Sequence, residues 1–336
     1  MRSKFYTQPG SLVRSFVLFL IKYKPKFVYR TLLVCLFFSS SAIAQDVLMG
    51  LASNGGPGGK GIAFSIKSTG TDFNIMEPFA DYGRNPHSQL LLGPDGSYYG
   101  TTTNGGVYGY GSIYKMSPSG VITLIKSFNL GVDGGYPYGR LTLAKDGNLY
   151  GTTSAGGQYS AGVIYRLTMA GGFSVVKSLS GATDGSNPRG NLVAAKDGNL
   201  YGITYGGGTY GTGTIFRITT AGIYNVLKSL NKPTDGGQCY GSLMQASDGN
   251  FYGMAYGGGQ YGYGTIFKYS LTTGFAVLRH VNAVADGSYT TGTLIEGKDT
   301  RLYGMMYSGG TYGNGTIFSI STAGSFTVLR HLRSGT

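Results

Sequence analysis

Residues 191–230, NLVAAKDGNLYGITYGGGTYGTGTIFRITTAGIYNVLKSL, hold four short apolar runs separated by turn residues. The first, 192–196, is closed by Asp197-Gly198, a pair that suits a two-residue type I′ hairpin because both central positions need positive φ. The second, 199–205, completes the hairpin and runs into the glycine-rich loop 206–213. The third, 214–219, is rich in the β-branched and aromatic residues that fit a pleated surface. A turn at 220–222 leads into the fourth, 223–230. Shifted by 51 residues in either direction the unit returns: Asp95-Gly96, Asp146-Gly147 and Asp248-Gly249 repeat the turn, and Asp299-Thr300 is its degraded form. Four antiparallel strands at this period are the pattern of a propeller blade.

Five full units are expected at about 89–128, 140–179, 191–230, 242–281 and 293–332. Before them, 47–53, 61–67 and 72–79 align with the second, third and fourth strands of a unit that has no first strand. The expected fold is all-β: one β-propeller domain over 45–336, of about six blades of four antiparallel strands, with an incomplete N-terminal blade. Strand parity puts the Asp-Gly and 220–222 turns on one face. The glycine-rich loops and interblade connections share the other, where binding groups on a rigid scaffold are expected.

Residues 1–44 have the features of a cleaved leader. Seven Lys or Arg precede the apolar run 32–38, and Ala42-Ile43-Ala44 is an A-x-A signal, so cleavage after Ala44 and export are expected. Neither apolar run there, 16–21 or 32–38, is long enough to span a bilayer. The whole chain carries 27 Lys and Arg against 14 Asp and Glu; without the leader the balance falls from +13 to +6. That excess is mild and spread around the repeat, which argues against nucleic-acid binding. Cys239 is the one cysteine after the leader, so no internal disulfide forms, and its slot, held by Pro137 and Pro188 in other units, marks it as a packed residue.

The recurring DGNLYG (146–151, 197–202) and the GGG-x-YG-x-GTIF loop and strand (206–216, 257–267) resemble the GloVer tandem repeats of bacterial "choice-of-anchor" exported proteins. The resemblance covers about 47–332 and implies an exported propeller-like protein without an assigned activity.

Candidate chemistry is sparse. Glu77 and Glu296 are the only glutamates, and the aspartates fall mostly into two periodic sets: Asp95, Asp146, Asp197, Asp248 and Asp299 at the hairpin, and Asp81, Asp133, Asp184, Asp235 and Asp286 in the connections. Residues spread by rotational repetition do not pair as acid and base at one place. His87, His280 and His331 do not have zinc spacing. No cofactor, metal or enzymatic activity is expected, although a DGN-aromatic turn shared with streptogramin-lyase-like propellers keeps an enzyme as the alternative, beside a purely structural surface protein. Tyr108, Tyr159, Tyr210, Tyr261 and Tyr312 recur in the glycine-rich loops. These tyrosines, with Asp133, Asp184, Asp235 and Asp286, are the candidate ligand-binding set, for a polysaccharide or a surface protein, on a monomer. A second set, Tyr99, Tyr150, Tyr201, Tyr252 and Tyr303, is expected between blades, and Lys126, Lys177, Lys228, Arg279 and Arg330 are expected to protect the outermost strand edges.

Overall fold

Six antiparallel sheets follow one another along the chain in the computed structural model, which describes residues 47–79 and 82–334. The leader expected over 1–44 and Asp81 lie outside the described residues. Blade 1 has three strands: β1 (Val47–Ala52), β2 (Ile62–Lys67) and β3 (Asn74–Pro78). Blade 2 has β4 (Leu91–Leu92), β5 (Tyr98–Thr102), β6 (Ser112–Met116) and β7 (Ile122–Ser127). Blade 3 has β8 (Thr142–Leu143), β9 (Leu149–Thr153), β10 (Val163–Leu167) and β11 (Phe173–Ser178). Blade 4 has β12 (Val193–Ala194), β13 (Leu200–Ile203), β14 (Thr214–Ile218) and β15 (Tyr224–Ser229). Blade 5 has β16 (Met244–Gln245), β17 (Phe251–Ala255), β18 (Thr265–Ser270) and β19 (Gly274–His280). Blade 6 has β20 (Ile295–Glu296), β21 (Leu302–Met306), β22 (Thr316–Ile320) and β23 (Phe326–His331). Each sheet is a plain meander, so the all-β six-bladed propeller with a thin first blade is the fold of this chain.

The hairpin turn differs from the expected type I′. Asp197 is absent from the positive-φ residues, and only Gly198 has φ of +84°. Gly198 N–H donates to Ala195 O, and Ala195 N–H to Asn199 O, so the loop is a type I turn closed by a glycine bulge. The Asp side chain decides this geometry. Its Oδ1 accepts the Asn199 N–H at 3.0 Å, and its Oδ2 accepts Asn199 Nδ2 at 2.9 Å and the Tyr201 hydroxyl at 2.7 Å. The same tyrosine bond recurs at Asp95–Tyr99, Asp146–Tyr150, Asp248–Tyr252 and Asp299–Tyr303. At the degraded turn, Thr300 adopts φ of +61° in place of glycine.

Blades bury their faces against one another. Tyr201, Ile203 and Ile215 of blade 4 pack on Phe251, Ala255 and Phe267 of blade 5, and the same arrangement joins blades 3 to 4 and 5 to 6. Within a blade, Gly202 of β13 lies opposite Phe216 of β14, and a Cβ on it would fall 2.3 Å from the ring. The Tyr-Gly pair is therefore a seat for an aromatic side chain. Among the described residues, no other blade covers the far face of blade 6: Met305 is 56% exposed where its counterpart Met254 is 4% exposed. Tyr303 is accordingly only partly covered, contrary to the interblade packing expected for it. Among the described residues, no core cluster joins blade 6 to blade 1.

The innermost strands are the short first ones. β8 and β12 neighbour each other, and Arg140 N–H donates to Asn191 Oδ1, Asn191 N–H to Ser242 Oγ and Ser242 N–H to Thr293 Oγ1. This belt crosses from blade to blade near the axis. Immediately beside it, a Cβ on Gly190 would meet Gly241 O at 2.6 Å, so the chain passes too close there for a larger residue at Gly190.

Burial opposes the charge on Asp197, but its Tyr201 and Asn199 donors outweigh burial and hold the carboxyl below its ordinary value. A depressed carboxyl contributes stability above the unfolded pKa and loses it as pH falls through the folded value. We therefore expect Tyr201→Phe to lower stability by about 1 kcal/mol at neutral pH. The gap from the unaltered protein should close as pH drops below about 4, as read by thermal melts across pH. A gap that did not change with pH would assign the loss to packing alone.

Candidate functional site

The connections between blades make the site, and each begins with a cation. Lys126, Lys177 and Lys228 lie 2.6, 2.8 and 2.7 Å from Asp133, Asp184 and Asp235, and Arg279 grips Asp286 through Nη2 at 2.7 Å and Nε at 2.9 Å. Each carboxylate also accepts a backbone N–H four residues upstream: Asn129, Ser180, Asn231 and Asn282. Each cation in turn lies over an aromatic ring of the next blade, Phe173, Tyr224, Phe275 and Phe326, at 4.8 to 5.2 Å. These basic residues thus do more than guard an edge: they neutralise the connection aspartates and clamp neighbouring blades. The four aspartates are committed to the scaffold and present no free carboxylate to a ligand.

After the aspartate, the chain makes a tight reversal. Asn85, Tyr136, Asn187, Gln238 and Tyr289 occupy one repeat slot, all with φ between +57° and +60°. A non-glycine residue there is strained, more so a tyrosine, and persists only where its surroundings over-determine it. Here the N–H of Asn187 donates to Ala161 O while its C=O accepts from Tyr205 N–H, and Tyr136 and Tyr289 are held the same way.

Two residues further on, the repeat stops being a repeat. His87, Tyr138, Arg189, Tyr240 and Thr291 share one slot yet are chemically unlike. The side chains of His87, Tyr138, Arg189 and Tyr240 meet on the loop face. The His87 and Tyr138 rings are 6.2 Å apart, and the Arg189 guanidinium lies 5.8, 4.4 and 4.8 Å from the rings of Tyr138, Tyr205 and Tyr240. Tyr240 packs edge-on against Tyr205 at 5.0 Å and Tyr256 at 5.1 Å, and Tyr256 stacks on Tyr289 at 4.8 Å. The result is an unbroken aromatic arc beside the axis, fed by five successive connections. Hydrogen bonding with Tyr240, then burial, pushes the Tyr205 hydroxyl up, and burial pushes His87 down. The arc thus presents tyrosine rings around one guanidinium, that of Arg189.

The loop tyrosines lie elsewhere. Tyr108, Tyr159, Tyr210, Tyr261 and Tyr312 are 44 to 55% exposed, so the expected crown faces solvent. The N–H just before each is pinned to the end of the blade's outermost strand: Val107 to Ser127, Gln158 to Ser178, Thr209 to Ser229, Gln260 to His280 and Thr311 to His331. His280 and His331 are thus loop pins, in the slot that serine fills in other blades. The crown sits at the rim with its members apart; among the described residues, no ring contact joins one to the next, and Tyr312 lies against Arg333. Cys239 is buried at the foot of the arc, and burial pushes its thiol well above the ordinary range. Among the described residues, no cluster of His, Cys, Asp or Glu could hold a metal, and no helix is long and apolar enough to cross a membrane.

Asp235→Ala should lower stability by roughly 2–3 kcal/mol, since it leaves Lys228 and the Asn231 N–H unpaired. Arg189→Ala, removing a cation that spans the arc's surface, should change the melting temperature little. Equal losses in calorimetry would contradict this division between scaffold and site.

Comparison with solved structures gives the fold the same neighbours. The periplasmic gluconolactonase PpgL of Pseudomonas aeruginosa is similar at TM-score 0.56 and 15% identity, over 86% of this chain and 84% of that one. A chain of the nidogen/laminin complex is similar at TM-score 0.50 and 17% identity, over 85% of this chain and 92% of that one. At such identities the likeness is one of fold. A comparison with curated proteins found no match. The Gloeobacter/Verrucomicrobia repeat family matches residues 38–195 and 170–336, together nearly the whole chain, so the protein belongs to that repeat family.

Proposed function

We propose that this protein is an exported, non-enzymatic binding module whose ligand is a cell-surface or extracellular glycan, held by the aromatic arc beside the propeller axis. The arc's continuity, from His87 to Tyr289, carries the proposal. Tyrosine faces offer large, flat, amphipathic area at little loss of side-chain entropy, which suits stacking on sugar rings. Glycoside hydrolysis ordinarily calls for a pair of carboxylates flanking the bond. The connection aspartates are bound within the scaffold, and Glu296 bonds Ser247 between the inner strands. Export is supported by the basic, then apolar, then A-x-A order of residues 2–44. The rim tyrosines would add weak contacts along a long polymer, where spacing allows several to engage at once.

A lyase- or hydrolase-like enzyme is the second reading, favoured by one observation: His87, Tyr138 and Arg189 place unlike polar groups together. It requires product release from a glycan or lactone, which the binding reading does not.

Affinity gels and pull-downs with a panel of neutral and acidic polysaccharides test the proposal. At least one should retain the protein, and Tyr205→Ala with Tyr240→Ala should weaken retention about tenfold or more. Retention by none, or retention indifferent to this pair, would overturn it.

A further inference from the structure

We infer that the arc selects an anionic sugar, with Arg189 as the group that receives its carboxylate or sulfate. This rests on the glycan-binding reading and narrows it. Arginine is the one residue of the arc that is always charged, and its planar fork matches a carboxylate or sulfate with two parallel hydrogen bonds. In this protein the fork is already oriented. Its Nε donates to Asn187 Oδ1 at 3.1 Å, and its plane is packed among three tyrosine rings, which fix the guanidinium without neutralising it. No ion pair among the described residues includes Arg189, whereas the other arginine over a ring in a connection, Arg279, is bonded twice to Asp286.

The surroundings lean the same way. The variable slot and the tyrosine slot beside it, filled by Thr103, Ser154, Tyr205, Tyr256 and Tyr307, contain no acidic residue. The described connection aspartates, Asp133, Asp184, Asp235 and Asp286, are each cancelled by their own Lys or Arg. A neutral sugar offers hydroxyls that act as both donors and acceptors, and a site for it gains from carboxylate or amide acceptors. Arg189 supplies donors alone, whereas the tyrosine hydroxyls beside it both donate and accept and suit a sugar's own hydroxyls. The Arg189 fork is therefore matched to a ligand group that only accepts and carries negative charge.

The test measures affinity of the purified protein for paired probes: an oligogalacturonate and its methyl ester, and a sulfated glycan and its desulfated form. The charged member of at least one pair should bind ten- to a hundredfold more tightly, and which pair does so separates carboxylate from sulfate. Added salt should narrow the difference. Arg189→Gln should erase it, and Arg189→Lys, which keeps the charge and loses the fork, should restore part of it; unchanged melting temperatures exclude misfolding. If charged and neutral members bind equally, or if Arg189→Gln weakens both alike, the anionic selection is wrong and glycan binding by the tyrosines stands. If no member of either pair binds while neutral glycans do, the anionic selection again fails alone. If no glycan of any kind binds, both readings fall.

Discussion

A four-stranded sheet of this size has two apolar faces and cannot cover either by itself. Blades 2 to 5 are each completed by neighbours on both sides, as the cluster joining Tyr201 and Ile215 to Phe251 and Phe267 shows. That constraint sets the rest. Blades must come in series, each must present the same two faces, and the segment between them must deliver the next sheet at a fixed angle. The 51-residue period is the sequence consequence of that repeated fit. Met305 of blade 6, which no neighbouring blade covers among the described residues, is exposed where Met254 is buried.

The connection is where this packing becomes a site. Its Asp-cation pair fixes where the chain leaves one blade, and the cation's contact with the next blade's aromatic ring links the two rigidly. The strained left-handed residue then turns the chain sharply inward. Such strain, of order 1–3 kcal/mol per residue, is tolerable because interblade backbone bonds leave Asn187 and its counterparts no other conformation. The residue two positions later emerges beside the axis, where four successive connections bring their side chains into contact. A scaffold that must be identical from blade to blade thus ends in a position where identity is not required.

This division also explains what the sequence did and did not disclose. The hairpin Asp-Gly, the Tyr-Gly pair under an aromatic residue and the GTIF strand are legible because packing demands the same residue each time. The turn type was misjudged because Asp-Gly fits two geometries, and the tyrosine hydroxyl that chooses between them comes from the next strand. The connection aspartates and the outer-strand cations were seen as separate periodic sets; their pairing depends on how the connection folds back over the fourth strand, which spacing alone does not reveal. The rim tyrosines drew attention by their regularity. Tyr138, Arg189 and Tyr240 were passed over because they differ. Their signal was present all the same: one column of the repeat, on the loop face, directly after Pro86, Pro137, Pro188, Cys239 and Thr290, in which His, Tyr, Arg and Thr replace one another.

The central claim is that ligand is held by the arc beside the axis and not by the regular crown at the rim. A crystal structure of the protein soaked with a bound oligosaccharide tests it most directly. The account predicts a sugar ring stacked against Tyr205 or Tyr240 within hydrogen-bonding reach of Arg189. Density for the sugar on Tyr210 and Tyr261 at the rim, with the arc empty, would contradict it.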